Sequence, residues 1–254
     1  MKRERYYSFR VSGRRALFSD PANRIGGEKM SYLIPTYQAL KGITESIYWK
    51  PSIIWTIHRL RIMNSIQTEV VGIRPIKFNK STNDLAYYTY LKNVDYHVEV
   101  SFDWNKSRPE LASDWNFKKH EDIFLRSLKK GGRRDIFLGT RECPGYVEPY
   151  EFDDGKGEYD EIETMSFGVQ FHSFIYPDEH DPTDSDYGKL TTNLWIPELK
   201  GGIINFIKPN ECTMHRTLRD YNIKVFKPGE NFQFVEEMNS NFDTVINQNN
   251  KEGL

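Results

Sequence analysis

Lys118, Lys119 and His120 are consecutive, and the residues around them predict a helix over about 116–130 that places all three in its first turn. At a helix start the unpaired backbone N–H groups and the positive end of the dipole attract a phosphate. An imidazole with an ordinary pKa of about 6.5 exchanges a proton near neutrality, and an ammonium beside it stabilises charge that builds on a phosphorane. Such a set can run acid–base chemistry on a phosphodiester without a metal. Tyr48 falls at the end of an earlier helix beside Trp49, Lys50 and Pro51, where a phenol can reach a phosphate or a 2′-hydroxyl. It is one of fifteen tyrosines and fits a core position equally well. A lone histidine on an amphipathic helix is ordinarily a surface or packing residue, and a lysine pair is ordinarily a solvated face. The turn from Lys129 through Gly131 and Gly132 to Arg134 sets four cations around two glycines. That is a cradle for an RNA backbone, or a plain helix C-cap with cations at the negative end of the dipole.

Other chemistries find less support. RIGGEKMS has glycines and a lysine without phosphate-loop spacing, and G-x-G-x-x-G is absent. The six histidines are scattered, and none stands at ligand spacing from another His or a Cys, so no metal and no cofactor is expected. Asp184, Asp186 and Gly188 form a fragment of a calcium loop without its distal Glu, and read as a turn. Cys143 and Cys212 are too few for a disulfide framework and suit a reducing compartment. No apolar run approaches the ~20 residues of a membrane helix. The basic N-terminus leads into no apolar stretch of a secretory signal, so a cytoplasmic protein is expected.

Formal net charge is −1 over 254 residues, but residues 1–143 hold 26 Lys and Arg against 15 Asp and Glu, whereas 144–254 hold 9 against 21. A basic half points to a polyanion partner; electrostatic pairing of the two halves with each other is the alternative. The elements in the basic half are a β-like run over 6–18, a helix within 31–49, and one long strand or a bent pair over 53–72. A strand follows over 94–103, where Val94, Tyr96, Val98, Val100 and Phe102 alternate with polar residues; then come the helix at 116–130 and a strand over 135–141. This β-α-β-β-α-β order predicts an α+β fold with an N-terminal ferredoxin-like domain, similar to RNA-recognition domains, over 1–146. The acidic stretch 148–163 reads as a solvated linker or long loop. Beyond it, three short β-like runs predict a small antiparallel β domain over 147–225, and 226–254 a polar, mobile tail.

Five segments carry a resemblance to a known family: ALFSDPANRIGGEKMSYLIPTYQALKGITESIYWKP (16–51), RIMNSIQTEVVGIRPI (61–76), NDLAYYTYLKNVDYHV (83–98), RSLKKGGRRDIFLGTRECPGYVEP (126–149) and FIKPNEC (206–212). Together they resemble the CRISPR-associated Cas-five family, subtype d, of type I-C systems, over about residues 6–225. The resemblance implies an endoribonuclease that cuts precursor CRISPR RNA at the base of the repeat hairpin. Such a protein keeps the 5′ handle as a subunit of the Cascade complex, among its backbone and large subunits, with DNA left open as a further partner. The family's tyrosine in Ile-Tyr-Trp-Lys-Pro corresponds to Tyr48, and its Lys-His dipeptide to Lys119 and His120. These three are the expected catalytic residues. Arg24, Lys29, Lys50, Lys118, Lys130, Arg133 and Arg134 are the expected RNA-binding cations. The alternatives are a non-cleaving subunit that only holds the RNA handle, and a general RNA-binding domain.

Overall fold

The structure is a computed structural model that describes residues 5–21, 27–76, 85–177, 179–180 and 183–220. Among the described residues, twelve strands and two α-helices follow one another as β1 (Tyr7–Ala16), β2 (Lys29–Met30), α1 (Tyr37–Ile47), β3 (Ile53–Ile62), β4 (Thr68–Ile73), β5 (Ala86–Trp104) and α2 (Phe117–Lys129), then β6 (Tyr146–Pro149), β7 (Met165–Ser166), β8 (Gln170–Ile175), β9 (Lys189–Trp195), β10 (Glu198–Lys200), β11 (Ile203–Asn205) and β12 (Met214–Asp220). The fold is α+β with almost wholly antiparallel pairing. Residues 1–221 form one compact unit.

One sheet runs in the order β6-β1-β5-β3-β11-β10-β7, and β2 and β4 also pair with β5. β5 is its axis. The strand over 94–103 extends backward to Ala86, and one strand thereby serves β1, β3, β4 and β2 in turn. Its apolar positions face a core with Phe9, Val11, Trp55, Ile57 and Leu60, which the helices cover through Tyr37, Leu40, Ile43 and Ile47 of α1 and Phe124 and Leu128 of α2. The long run over 53–72 is the bent pair: β3 and β4 lie on the same edge of β5, at its two ends.

The helix boundaries follow their caps. Thr36 accepts a hydrogen bond from the Ala39 N–H at 3.1 Å to start α1, and Asn116 accepts from the Lys119 N–H at 3.1 Å to start α2. α2 ends where Gly131, at φ +81°, lets its own N–H and that of Gly132 return to the carbonyls of Leu128 and Ser127.

Residues 135–141 do not form the expected strand. Only Phe137 makes an isolated bridge, to Pro144, while the Leu138 carbonyl accepts from the Leu17 N–H and the Leu138 N–H donates to the Cys143 carbonyl. Gly139 sits at φ +93° with the Leu17 carbonyl 2.1 Å from where a Cβ would stand, so the chain passes too close to β1's end for a ladder. The edge strand beside β1 is β6 instead.

After the last two residues of β6, the acidic stretch 148–163 is a mostly exposed long loop, as expected, but it is tied down at a few points. Asp160 holds Arg61 at 2.7 Å, Phe152 is buried under the Arg59 guanidinium, and the Tyr159 hydroxyl accepts from the Ile66 N–H. Beyond it the chain divides its strands: β11 extends the main sheet against β3, and β8, β9 and β12 make a separate three-stranded sheet. Residues 221–254, including the expected tail, lie outside the described residues.

Candidate active site

Tyr48 caps the C-terminus of α1. Its φ of −159° and ψ of 127° leave the helix, Pro51 bars continuation, and the Trp55 indole N–H fixes the Tyr48 carbonyl at 2.8 Å. This turn aims the phenol at the first turn of α2, where its oxygen lies 2.8 Å from His120 Nδ1. Both side chains are fully buried, at 0 % exposure. The rings of Phe102 and Trp104 flank the imidazole, and Trp104 stacks in turn on Trp115.

His120 Nε2 stands 2.8 Å from the Asp114 backbone carbonyl. A carbonyl only accepts, so the hydrogen-bond network assigns the proton of the neutral imidazole to Nε2 and leaves Nδ1 to accept from the Tyr48 O–H. The Asp114 carboxylate lies 3.4 Å from the same Nε2, forms an ion pair with the Lys119 ammonium, and takes a 2.5 Å bond from the Ser52 hydroxyl. Lys119 and Ser52 hold the Asp114 carboxyl below its ordinary range; burial, helped by the nearby Asp114 charge, pushes the Tyr48 phenol up, against an opposing pull from Arg133. Tyr48 and His120, 72 positions apart, are thus brought together, and His120 and Lys119 share one carboxylate.

The neighbouring lysines part company. Lys119 turns toward His120's partner, whereas Lys118 points to solvent and pairs with Asp122 at 2.8 Å. The backbone N–H groups of Arg133 and Arg134 both donate to the Ser46 carbonyl, at 3.2 and 3.0 Å, which fastens the basic turn with Lys130 to the last turn of α1. Lys50 follows Tyr48 in the loop to β3 and is half-buried. Lys29 is placed elsewhere, on β2 with its ammonium over the Tyr88 ring, and Arg24 lies outside the described residues. A groove of ≈ 490 Å³ runs along the outer face of α2, lined by Lys119, Arg126 and Lys129 among others. Among the described residues no three His, Cys, Asp or Glu side chains gather as a metal site, and none of their helices is long and apolar enough to cross a membrane.

Asp114 and Ser52 are the residues that sequence reasoning missed. Asn116, as a capping residue two positions before the lysine pair, is a readable signal for where α2 begins. Nothing in the spacing shows that the short 3-10 turn Pro109–Asp114 delivers a carboxylate to that same place.

The structure is an α+β sheet that carries a buried Tyr–His hydrogen bond beside a Lys-paired carboxylate, a set through which a proton can pass between side chains. The family model for CRISPR-associated protein (Cas_Cas5), subtype Cas5d, matches residues 6–207, and the chain belongs to that family. Two curated relatives are similar in sequence. One, the CRISPR pre-crRNA endoribonuclease Cas5d of Thermus thermophilus, is 31% identical over 150 residues, which are 55% of this chain and 62% of that protein. Its counterpart of the same name from Mannheimia succiniciproducens is 26% identical over 77% of this chain and 92% of that protein. Two solved structures share the fold. A crystal structure of a CRISPR-associated protein matches at TM-score 0.71 and 37% identity over 85% of this chain and 99% of that one. A functionally uncharacterized protein from Streptococcus mutans matches at 0.69 and 38%, over 84% and 98%.

Proposed function

We propose that this chain is an endoribonuclease that cuts CRISPR repeat RNA at the base of its hairpin, without a metal, and stays on the 5′ handle as a subunit of a type I-C Cascade complex. The 2.8 Å contact between the Tyr48 oxygen and His120 Nδ1, with Lys119 paired beside it, is the observation that carries this reading. The 2′-hydroxyl attacks its own 3′ phosphate and the bond to the next 5′ oxygen breaks. As the Tyr48 oxygen takes the 2′ proton it passes its own to Nδ1, and the proton now held by His120 is the one the leaving oxygen needs. Lys119 stabilises the charge on the phosphorane. The products are a 2′,3′-cyclic phosphate and a 5′-hydroxyl.

The finer architecture belongs to the same reading. The strand order β6-β1-β5-β3, with α1 and α2 on one face, supports a ferredoxin-like domain over 1–146 followed by a small β domain over 147–225. Lys50, Lys118, Lys130, Arg133 and Arg134 lead the RNA backbone to the site, Lys29 on β2 lies on its further course, and Arg24 completes the proposed set of cations. The protein works in the cytoplasm with crRNA and the other Cascade subunits, and DNA is a further candidate partner.

One observation favours a second reading, a handle-binding subunit that does not cut: Tyr48 and His120 are fully buried, so RNA has to move the turn around Asp114 to reach them. The two part in an assay of purified protein, its own repeat RNA and excess EDTA. Specific cutting that vanishes with a single 2′-deoxy nucleotide at the cut site, while binding persists, is the expected result. Tight binding of unmodified RNA without cutting supports the second reading, and cutting of the deoxy substrate overturns the mechanism.

A further inference from the structure

We propose that Asp114 is a positioning residue of this site, acting on two of its members at once from two different atoms. The inference rests on the reading that Tyr48, Lys119 and His120 cut RNA. Its backbone carbonyl receives the His120 Nε2 proton at 2.8 Å. That bond holds the imidazole in the one neutral tautomer in which Nδ1 accepts from Tyr48, and a ring flipped or re-protonated would present a donor to the phenol instead. Its carboxylate sits 3.4 Å from Nε2 and pairs with the Lys119 ammonium. As His120 takes a proton the imidazolium forms next to that negative charge, the role an aspartate plays behind the histidine of a Ser-His-Asp triad.

Asp114 is itself held. The Ser52 hydroxyl bonds the carboxylate at 2.5 Å, and Ser52 stands four residues past Tyr48 on the turn that leads into β3. The backbone around Ser52 is tied in turn to the far end of β5 by the Asn105 N–H, which donates to the Ser52 carbonyl at 2.9 Å. The contacts Ser52–Asp114, Asp114–His120 and His120–Tyr48, joined by the backbone from Tyr48 to Ser52, therefore make one circuit that spans the end of α1, the 3-10 turn and the start of α2. The other groups facing His120 are Lys119 on its own helix and the uncharged rings of Phe102 and Trp104, with the Arg133 charge bearing on Tyr48. Asp114 is the sole carboxylate bonded within this circuit.

The test separates rate from affinity. Asp114→Asn keeps the backbone carbonyl and the side-chain shape but removes the charge, so the single-turnover cleavage rate at saturating RNA falls roughly 10- to 100-fold, as a catalytic pair loses its alignment. The dissociation constant for repeat RNA stays within about twofold of the unmodified protein or tightens, because a negative charge beside the phosphate is gone. Asp114→Glu restores most of the rate. Ser52→Ala lowers the rate roughly threefold, the worth of one hydrogen bond, and adds little to Asp114→Asn. A folded Asp114→Asn protein that cuts as fast as the unmodified chain or faster, an Asp114→Glu protein as slow as Asp114→Asn, or a loss confined to affinity overturns the proposal. If Asp114→Asn fails to fold, a folded Ser52→Ala protein of undiminished rate overturns it. His120→Ala is the control: should it still cut, the reading of the site falls, and should it be inactive while Asp114→Asn is not, only the positioning role falls.

Discussion

Two histidines in this molecule are buried to the same degree and bonded in nearly the same way, yet they differ in the charged groups beside them. His120 and His172 both have 0 % exposure. Each ring gives one nitrogen to a backbone carbonyl, of Asp114 at 2.8 Å and Ile207 at 3.1 Å, and the other to a hydroxyl 2.8 Å away, of Tyr48 and Ser173. Each has a tyrosine ring beside it, Tyr48 in one case and Tyr37 in the other. The difference is charge. His120 has a carboxylate at 3.4 Å and a lysine paired to that carboxylate, whereas His172 lies among Tyr37, Trp195 and Phe206, and burial pushes it down to about 4. His172 is a neutral core side chain that satisfies a carbonyl and a serine. Burial and hydrogen bonding do not make a catalytic base; ionic partners poised to follow its change of charge do.

The largest effect that would break this comparison is in the rate of cutting. His120→Ala is expected to slow cleavage at saturating RNA by about 10³-fold, within the span of a lost general acid–base group, and to leave RNA affinity nearly unchanged. His172→Phe, folded, is expected to cut at the unmodified rate. Single-turnover assays on both variants decide the matter, and equal losses at the two positions would show that the ionic surroundings of His120 have no catalytic meaning.

A smaller effect isolates the charge itself. Lys119→Ala takes the ammonium from beside His120 and makes its surroundings more like those of His172; the rate at saturating RNA should drop roughly 10²-fold, the worth of one transition-state donor. Lys118→Ala is the contrast. Its side chain is 74% exposed and engaged with Asp122, so the expected change is about threefold weaker binding at low salt with an unchanged rate, the behaviour of a single phosphate contact. A Lys118→Ala variant slower at saturation than Lys119→Ala would exchange the two assignments.

The distinction between these residues was only partly legible in the sequence. Alternation along 94–103 and the glycine turn closing the 116–130 helix are local signals, and they located the second half of β5 and the end of α2. The strand expected over 135–141 had the right composition, but whether it pairs depends on the approach of Leu17 to Gly139, which no local pattern records. Tyr48 had no distinguishing mark among fifteen tyrosines, because its chemistry comes from a partner 72 residues away. The acidic run after Glu148 suggested a solvated linker, yet Asp160 and Phe152 are docked by Arg61 and Arg59, arginines far back in the chain. His120 and His172 differ in sequence by the lysine pair before His120 and by the element each falls in, a helix start against a β-like run. The decisive Asp114 enters through a turn whose geometry, rather than its spacing, sets the contact.

The smallest effect tests the other member of the pair through stability. His172 is held at about 4 in the folded chain, against 6.5 for an ordinary histidine. Between those two values the unfolded chain binds a proton that the folded one does not, so stability rises with pH across this window and is lost as pH falls from 6.5 toward 4. From pH 6.5 to 5 the loss through this one group is about 1.5 kcal/mol, somewhat under 1.36 kcal/mol for each unit of pH because the unfolded histidine is only half protonated at 6.5. Denaturant unfolding at a series of pH values measures it. His172→Phe leaves the Ile207 carbonyl without this partner and is expected to unfold about 1–3 kcal/mol more easily at pH 7, but with a shallower decline between pH 6.5 and 5. A variant that keeps the full decline would place the titration elsewhere, and His172 would then lose its standing as the uncharged counterpart of His120.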